Sequence, residues 1–148
     1  MCEIMTIKLI ATQVPDFWEL IKYSLEQVER IGDVYADKTY NMLLAELLSD
    51  KAQCFIVYDD SGEMIKAVCL TVIFHDVIRD VKTLHIRSLY AFKASSNDTW
   101  KDEFEVVKEF ALSEGCSRIT LETSNPKVRS IAKHFGAVEV STNMLVEV

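Results

Sequence analysis

A short polar segment, residues 93–103, carries side chains that could bind an anion in front of a helix. The residues concerned are Lys93, Ser95, Ser96, Asn97 and Lys101. The first amides of a helix are unpaired and its dipole is positive there, so phosphates bind readily at such places. Three acids, Asp98, Asp102 and Glu103, lie in the same segment and would repel a phosphate. The segment is therefore either a polar phosphate cradle or a solvent-facing loop before an acid-capped helix.

Other common kinds of site are missing from the sequence. There is no Ser/His/Asp arrangement, no phosphate-binding P-loop and no dinucleotide fingerprint. The four cysteines, Cys2, Cys54, Cys69 and Cys116, show no CxxC pair. Cys54 and Cys69 lie in apolar runs, where a thiol behaves as a small core residue. We therefore expect no bound metal.

Composition and charge narrow the classes of partner. The chain has 148 residues, 49% of them hydrophobic, and a net charge of -7. We expect no nucleic-acid partner, because phosphate neutralisation needs clustered basic residues. A basic partner or substrate fits this charge better. We find no signal peptide, and the longest apolar run, residues 67–74, is too short to span a bilayer. These features predict a cytoplasmic protein with reduced thiols and no membrane association.

The pattern of apolar residues predicts a single α/β domain, residues 1–148. Predicted strands cover residues 5–11, 53–58, 65–74, 83–92 and 118–123. Predicted helices cover residues 15–30, 37–49, 98–115 and 125–136. One or two closing strands are expected in 138–148. The order is thus β-α-α-β-β-β-α-β-α-β(β), which implies a mixed central β-sheet flanked by helices on both faces.

The last predicted helix has clear start and stop signals. Asn125 can cap its first turn, and Pro126 has no amide to leave unpaired. Gly136 ends it. Its expected buried face consists of Val128, Ile131, Ala132 and Phe135.

The last third of the chain resembles a known family of enzymes. Residues 125–137 read Asn-Pro-Lys-Val-Arg-Ser-Ile-Ala-Lys-His-Phe-Gly-Ala, and residues 111–123 form a helix-Gly-strand passage. Members of the GNAT superfamily of N-acetyltransferases commonly run Asn-x-x-Ala-x-x-Leu-Tyr-x-x-x-Gly-Phe at the corresponding place. The chain resembles them in its Asn, its apolar positions and its Gly, and in the order of its elements.

This resemblance implies a site for acetyl-CoA. In the family, a loop reading Gln/Arg-x-x-Gly-x-Gly/Ala holds the coenzyme pyrophosphate on backbone amides. The matching segment here contains no glycine, and none occurs between Gly62 and Gly115. The loop is thus degenerate. The implied coenzyme-binding residues are Tyr90, Phe92, Lys93, Ser95, Ser96, Asn97, Lys101, Asn125 and Ser130.

The resemblance also implies a general base, which takes a proton from the acceptor amine. The candidates are His85 and Glu122, each of which a purely structural role would also explain. We expect His85 and Arg87 to lie on the strand face opposite Leu84, Ile86 and Tyr90. Ala132 stands where the family often has a Tyr that protonates the departing thiolate. The aromatic residues Trp18, Tyr23 and Tyr40 are expected to line the acceptor cleft.

These expectations leave two main hypotheses open. The first is an acyl-CoA-dependent N-acetyltransferase of weak or lost activity that acts on an amine or a lysine side chain. The alternative is a non-catalytic binding or assembly protein on the same scaffold, such as a virion or accessory protein of a tailed bacteriophage, with another protein as its partner. A small-molecule sensor using the same cleft is a third reading.

Overall fold

The structure is a computed structural model that describes residues 6–29, 36–59, 61–93 and 97–148, without the side chains of 97–99. The strands are β1 (Thr6–Lys8), β2 (Ala52–Tyr58), β3 (Ile65–Asp76), β4 (Val81–Ala91) and β5 (Arg118–Leu121). The helices are α1 (Val14–Glu29), α2 (Ala36–Leu48), α3 (Asn97–Ser113) and α4 (Pro126–His134). A 3-10 turn, Ala11–Gln13, precedes α1.

The five strands form one mixed sheet in the order β1-β2-β3-β4-β5. Neighbouring strands are antiparallel except β4 and β5, which are parallel and joined by α3. Helices α1 and α2 cover one face, where Cys54, Ile56 and Val68 belong to the core. Helix α3 covers the other face over Phe55 and Cys69, and α4 joins it there. The predicted α/β class and mixed sheet are therefore confirmed.

A β-bulge in β4 changes which side chains share a face. Thr71 is opposite Ile86, whereas the preceding Leu70 is opposite Ser88, so Arg87 has no partner residue on β3. Side chains alternate along a strand, and one extra residue reverses the alternation beyond it. Tyr90 consequently contacts Tyr23 of α1, on the same side as Arg87. The prediction that Tyr90 lies opposite His85 and Arg87 was wrong for this reason.

The predicted closing strands are the second difference. Residues 138–148 form no strand in the structure, although their sequence alternates as a strand does. Strands are stabilised by cross-strand partners and by one buried face. No such partner is present for these residues within the part of the chain that the structure describes.

Two further observations complete the fold. Among the described residues, no helix is both long and apolar enough to cross a membrane. Cys54, Cys69 and Cys116 are buried free thiols, and burial raises the pKa of the Cys54 thiol. The predicted core role of Cys54 and Cys69 is confirmed.

Candidate functional site

The two parallel strands separate beside the candidate base. Strands β4 and β5 pair from Thr83 with Arg118 to Ile86 with Leu121. Beyond Ile86, β4 continues to Ala91 while the chain leaves β5 toward α4. An opening therefore forms between the end of β4 and the start of α4. Openings beside the carboxyl ends of parallel strands are common places for ligands in α/β proteins.

His85 and Glu122, the two candidate bases, are brought together at this opening. His85 is directly opposite Thr120 in the sheet, and Glu122 follows β5 immediately. The Nδ1 atom of His85 lies 2.8 Å from Thr120 Oγ1, and its Nε2 atom lies 4.0 Å from Glu122 Oε1. A proton on Nδ1 can be donated to the Thr120 hydroxyl, which leaves the Nε2 lone pair on the side of Glu122.

The surroundings of His85 favour its neutral form. Burial is the largest influence and lowers the pKa of His85 below 6.5. Glu122 raises this pKa, and the cation of Arg87 lowers it. The side chain of His85 is 15% exposed, against 58% for Glu122. A neutral imidazole at pH 7 can accept a proton, as a general base must.

The side of β4 that faces α1, here called the cleft side, is polar at one end and aromatic at the other. Arg87, the extra residue of the bulge, makes an ion pair with Glu29 at the end of α1. Further along β4, Tyr90 and Phe92 pack edge-to-face at 4.9 Å between ring centroids. Tyr23 of α1 stacks on Phe92 at 6.1 Å and stays half exposed. We call Tyr23, Tyr90 and Phe92 the aromatic cluster.

The other two aromatic residues expected at the acceptor cleft lie elsewhere. Trp18 and Tyr40 pack against each other between α1 and α2, with ring centroids 6.3 Å apart. The Tyr40 hydroxyl donates to Glu26 Oε2 at 2.6 Å, and burial together with that carboxylate raises the pKa of Tyr40 to about 12. These two side chains join the helices, whereas Tyr23 belongs to the aromatic cluster.

The two lysines of the expected phosphate cradle contact different parts of the molecule. Lys93 donates to Asp59 Oδ2 at 3.3 Å, on the β2–β3 hairpin. Lys101 lines a groove of about 220 Å³ between α3 and α4. Ser95 and Ser96 lie outside the described residues, and so does the side chain of Asn97. The expected single cradle is therefore not seen in the described part of the segment.

The groove between α3 and α4 contains two basic residues besides Lys101, namely Lys108 and His134, that the sequence did not single out as ligands. Lys101, Lys108 and His134 line it, with one acid, Glu105. Its floor is the stacked pair Phe104 and Phe135, whose ring centroids are 5.4 Å apart. Spacing along α3 offers a signal for it, because residues 101, 104, 105 and 108 share one helix face. Such a groove suits a group that is both anionic and planar.

The cap of α4 forms as predicted. The Oδ1 atom of Asn125 accepts a hydrogen bond from the amide of Lys127 at 3.0 Å, and Pro126 is the first helical residue. Gly136 ends the helix with φ at +93°, a conformation that side chains rarely adopt. Ile131 and Phe135 pack against the core, and Ser130 is exposed. Asn125 thus lies between the end of β5 and the first turn of α4.

Glu103 does not face the segment in front of α3 as the sequence suggested. It is buried, and its Oε1 atom accepts from Lys66 Nζ at 2.8 Å. Lys66 is the extra residue of a second bulge, since Val57 is opposite Ala67 and Tyr58 is opposite Ile65. Its ammonium also lies 5.4 Å from the centre of the Trp100 ring. The charge of Glu103 is therefore compensated by Lys66, so Glu103 repels an incoming phosphate far less than an exposed carboxylate would.

Solved structures of acetyltransferases share this fold over nearly the whole chain. A predicted acetyltransferase with acetyl-CoA from Clostridium acetobutylicum is 12% identical, with a TM-score of 0.73 and coverage of 98% of this chain and 96% of that one. AAC(6')-Iy in complex with a bisubstrate analogue is 14% identical, with a TM-score of 0.74 and coverage of 98% and 97%. Glucosamine-6-phosphate N-acetyltransferase from Arabidopsis thaliana is 17% identical, with a TM-score of 0.68 and coverage of 98% of each chain.

The two comparisons with sequences gave no match. No protein-family model matches the chain, and no curated protein matches it. The expected resemblance to the GNAT superfamily is therefore confirmed as a likeness of fold.

Proposed function

We propose that this GNAT-like chain is an acyl-CoA-dependent N-acetyltransferase that binds its coenzyme weakly and acetylates an amine. The observation that carries the proposal is the neutral His85, held by Thr120 and facing Glu122 at the opening between β4 and β5. An acceptor amine must lose a proton when it forms an amide, and a base of this kind takes it. Neighbours of the same fold were solved with acetyl-CoA and with a CoA analogue.

The described residues offer a partial fit to the coenzyme. Lys101, Lys108 and His134 in the groove between α3 and α4 suit its phosphates, and the Phe104–Phe135 stack suits its adenine. The edge of β4 that faces β5 has no strand partner beyond Ile86 among the described residues, and this edge and the cap residue Asn125 suit the pantetheine arm. The lack of glycine in the segment before α3 argues against tight binding of the coenzyme, because a Cβ keeps phosphates away from backbone amides.

His85 and Glu122 perform the proton transfer in this proposal. Acetyl-CoA supplies a thioester carbonyl that an uncharged amine can attack. Nε2 of His85 takes the proton that the amine loses as the C–N bond forms, and Glu122 stabilises the resulting imidazolium. Glu122, whose side chain is 58% exposed, makes this end of the cleft attractive to a cationic amine, which includes a lysine side chain.

The leaving thiolate has no obvious donor on α4. The family-like Tyr position is Ala132, which is half-buried and has no proton to give. Water or the protonated His85 would have to supply this proton, since the C–S bond breaks with its electrons on sulfur. A slow last step follows, in keeping with the weak activity proposed.

Thermal unfolding with acetyl-CoA tests binding, and thiol release in the presence of an amine tests turnover. Ligand at a hundredfold excess over its Kd stabilises a protein by about 2.7 kcal/mol. Acetyl-pantetheine, which lacks the nucleotide and the pyrophosphate, is the matched ligand and should give a far smaller shift. The variant His85→Gln should keep the acetyl-CoA shift and lose turnover. No shift at millimolar acetyl-CoA would sink the proposal.

A second candidate function is a non-catalytic binding or assembly module. The buried Lys66–Glu103 pair supports it, because it holds α3 on the sheet without any ligand. The absence of a hydroxyl at Ala132 supports it too. This candidate gains if acetyl-CoA gives no shift while the protein forms a stable complex with another protein, for instance in the virion of a tailed bacteriophage.

A further inference from the structure

A cavity of about 470 Å³ opens where β3 extends past the start of β2. Strand β2 begins at Ala52, which is opposite Val72, whereas β3 continues to Asp76. Beyond Val72, the edge of β3 that faces β2 has no strand partner within the described ranges. This edge is bordered by the C-terminal ends of α2 and α3, which lie on opposite faces of the sheet. The volume is typical of a site for a small molecule.

The inner wall of the cavity is apolar. Phe110 of α3 lines it and packs edge-to-face on the buried Phe55, with ring centroids 5.6 Å apart. Val72 and Ile73 are only partly buried at this place, and Phe74 is 44% exposed. A neighbouring strand would cover such side chains in a complete sheet. The cavity therefore offers an apolar contact surface beside the backbone groups of a free strand edge.

The rim of the cavity carries an excess of negative charge. Three carboxylates and two ammonium groups line it, namely those of Glu46, Asp50, Glu114, Lys51 and Lys82. Helices α2 and α3 both end at the cavity, and neither has a basic residue in its last turn. The C-terminal end of a helix carries a partial negative charge, so the two helix ends add to the charge of the carboxylates.

Two lysines of the chain itself show how ammonium groups bind at this place. Lys8 Nζ lies 3.0 Å from Asp50 Oδ1 and 5.3 Å from the centre of the Phe110 ring. Lys82 donates to the backbone carbonyl of Glu114, at the end of α3. Carboxylates, helix carbonyls and an aromatic ring therefore already hold two cations at the border of the cavity.

We propose that this cavity binds a small organic cation, in which an ammonium, guanidinium or amidinium group is carried on an apolar body. The side-chain carboxylates of Glu46 and Glu114 form no ion pair with any described residue, and they accept the charged N–H groups of the ligand. The apolar body packs on Phe110 and Ile73. Lys51 opposes the charge of the ligand from the rim. The site uses none of the residues assigned to acetyl transfer, so it does not depend on that proposal.

An NMR titration of the full chain with benzamidine, and with benzamide as its uncharged isostere, tests the site. Benzamidine should shift the backbone amides of residues 46–51 and 110–114 with a Kd on the order of 1 mM, as expected for a ligand of this size. Benzamide should bind at least about tenfold more weakly, because it cannot form charged hydrogen bonds. The helix ends identify the site, since Phe74 also packs on His85, with ring centroids 6.4 Å apart, and a shift there reports on both places.

Two double variants of equal net charge test the role of the carboxylates. Glu46→Gln with Glu114→Gln should weaken the binding of benzamidine at least about tenfold. Glu63→Gln with Glu147→Gln removes two exposed carboxylates elsewhere and should change the Kd by less than about twofold. Lys51→Gln removes a like charge from the rim and should lower the Kd.

Any of four results would overturn the proposal. The first is that benzamidine at about 10 mM, tenfold above the expected Kd, leaves the amides of 46–51 and 110–114 unshifted. The second is that benzamide binds equally well, and the third is that the two double variants bind alike. The fourth is a set of shifts confined to residues 120–122, which would place the cation at His85. Binding and turnover of acetyl-CoA are measured separately, so this site and the proposed activity can fail independently.

Discussion

Burial does most to keep His85 neutral, and two neighbours change its pKa in opposite directions. Glu122 raises its pKa and Arg87 lowers it, while burial lowers it most. A base whose pKa lies below the ordinary histidine value is mostly neutral at pH 7, and it loses activity as the pH falls through its own pKa. A plot of kcat/KM against pH should therefore fall only on its acidic side, and this acidic limb should follow the protonation of His85.

Replacing His85 tests this assignment directly. We expect His85→Gln to lower kcat/KM by about 10²–10⁴-fold and to remove the acidic limb of the pH profile, because His85 is the group that takes the proton of the amine in the proposal. His75→Gln is the control. His75 is half exposed and bonded to Asp80 at the β3–β4 hairpin, away from the cleft. Equal losses in the two variants would contradict the assignment.

Replacing Glu122 should shift the acidic limb of the pH–rate profile without abolishing it. The variant Glu122→Gln removes an influence that raises the pKa of His85, so that pKa should fall further. The acidic limb then moves to lower pH, which NMR titration of the His85 ring would measure. A pKa that rises instead would show that Glu122 does not act on His85 as the geometry suggests.

At the scale of elements, α4 depends on its first residue. Asn125→Ala should reduce the free energy of unfolding by about 0.5–2 kcal/mol, since the Lys127 amide loses its acceptor. Asn125→Asp keeps an acceptor oxygen and should lose much less. Urea unfolding of both variants measures the difference, and equal losses would contradict a capping role.

The Lys66–Glu103 pair sets the position of α3 on the sheet. Lys66→Met should destabilise the fold by about 3–5 kcal/mol, because it leaves a buried carboxylate without its ammonium. The double variant Lys66→Met with Glu103→Leu should recover most of that loss. Lys51→Met, at an exposed position, serves as the control. Failure of the double variant to recover would mean that the pair contributes more than charge compensation.

How far the sequence predicted these elements depended on how local their signals were. The cap of α4 and the order of strands and helices as far as α4 followed from residues close together in the chain, and both were confirmed. The face of Tyr90 depended on a bulge, which no alternation pattern reveals. The inward turn of Glu103 depended on Lys66, 37 residues earlier, and so required the tertiary structure.

The candidate site shows the same division. His85 and Glu122 were chosen as separate candidates, and their 4.0 Å approach follows from a parallel pairing that the sequence could not fix. The roles given to them and to the coenzyme residues stay predictions. The closing strands expected at 138–148 were wrong, because alternation indicates the ability to form a strand but not the presence of a partner.

At the scale of the whole molecule, the net charge of -7 should favour the approach of cationic acceptors. We expect kcat/KM for a doubly charged amine to fall more steeply with ionic strength between 0.01 and 0.15 M than kcat/KM for a singly charged one, because screening acts on the product of charges. Steady-state kinetics at fixed pH would measure both slopes. Equal slopes would argue against attraction by the whole protein.

The bulge at Arg87 gives β4 a place where the chain can change length by one residue. Loss of Arg87 would restore continuous pairing with β3, since Leu70 is already opposite Ser88 and Thr71 opposite Ile86. Ser88, Leu89 and Tyr90 would keep their present faces, because residues opposite each other on neighbouring strands share a face. The ion pair of Arg87 with Glu29 at the end of α1 would be lost. In any set of related proteins, a one-residue gap at this position would therefore change the polar end of the cleft and leave the aromatic cluster in place.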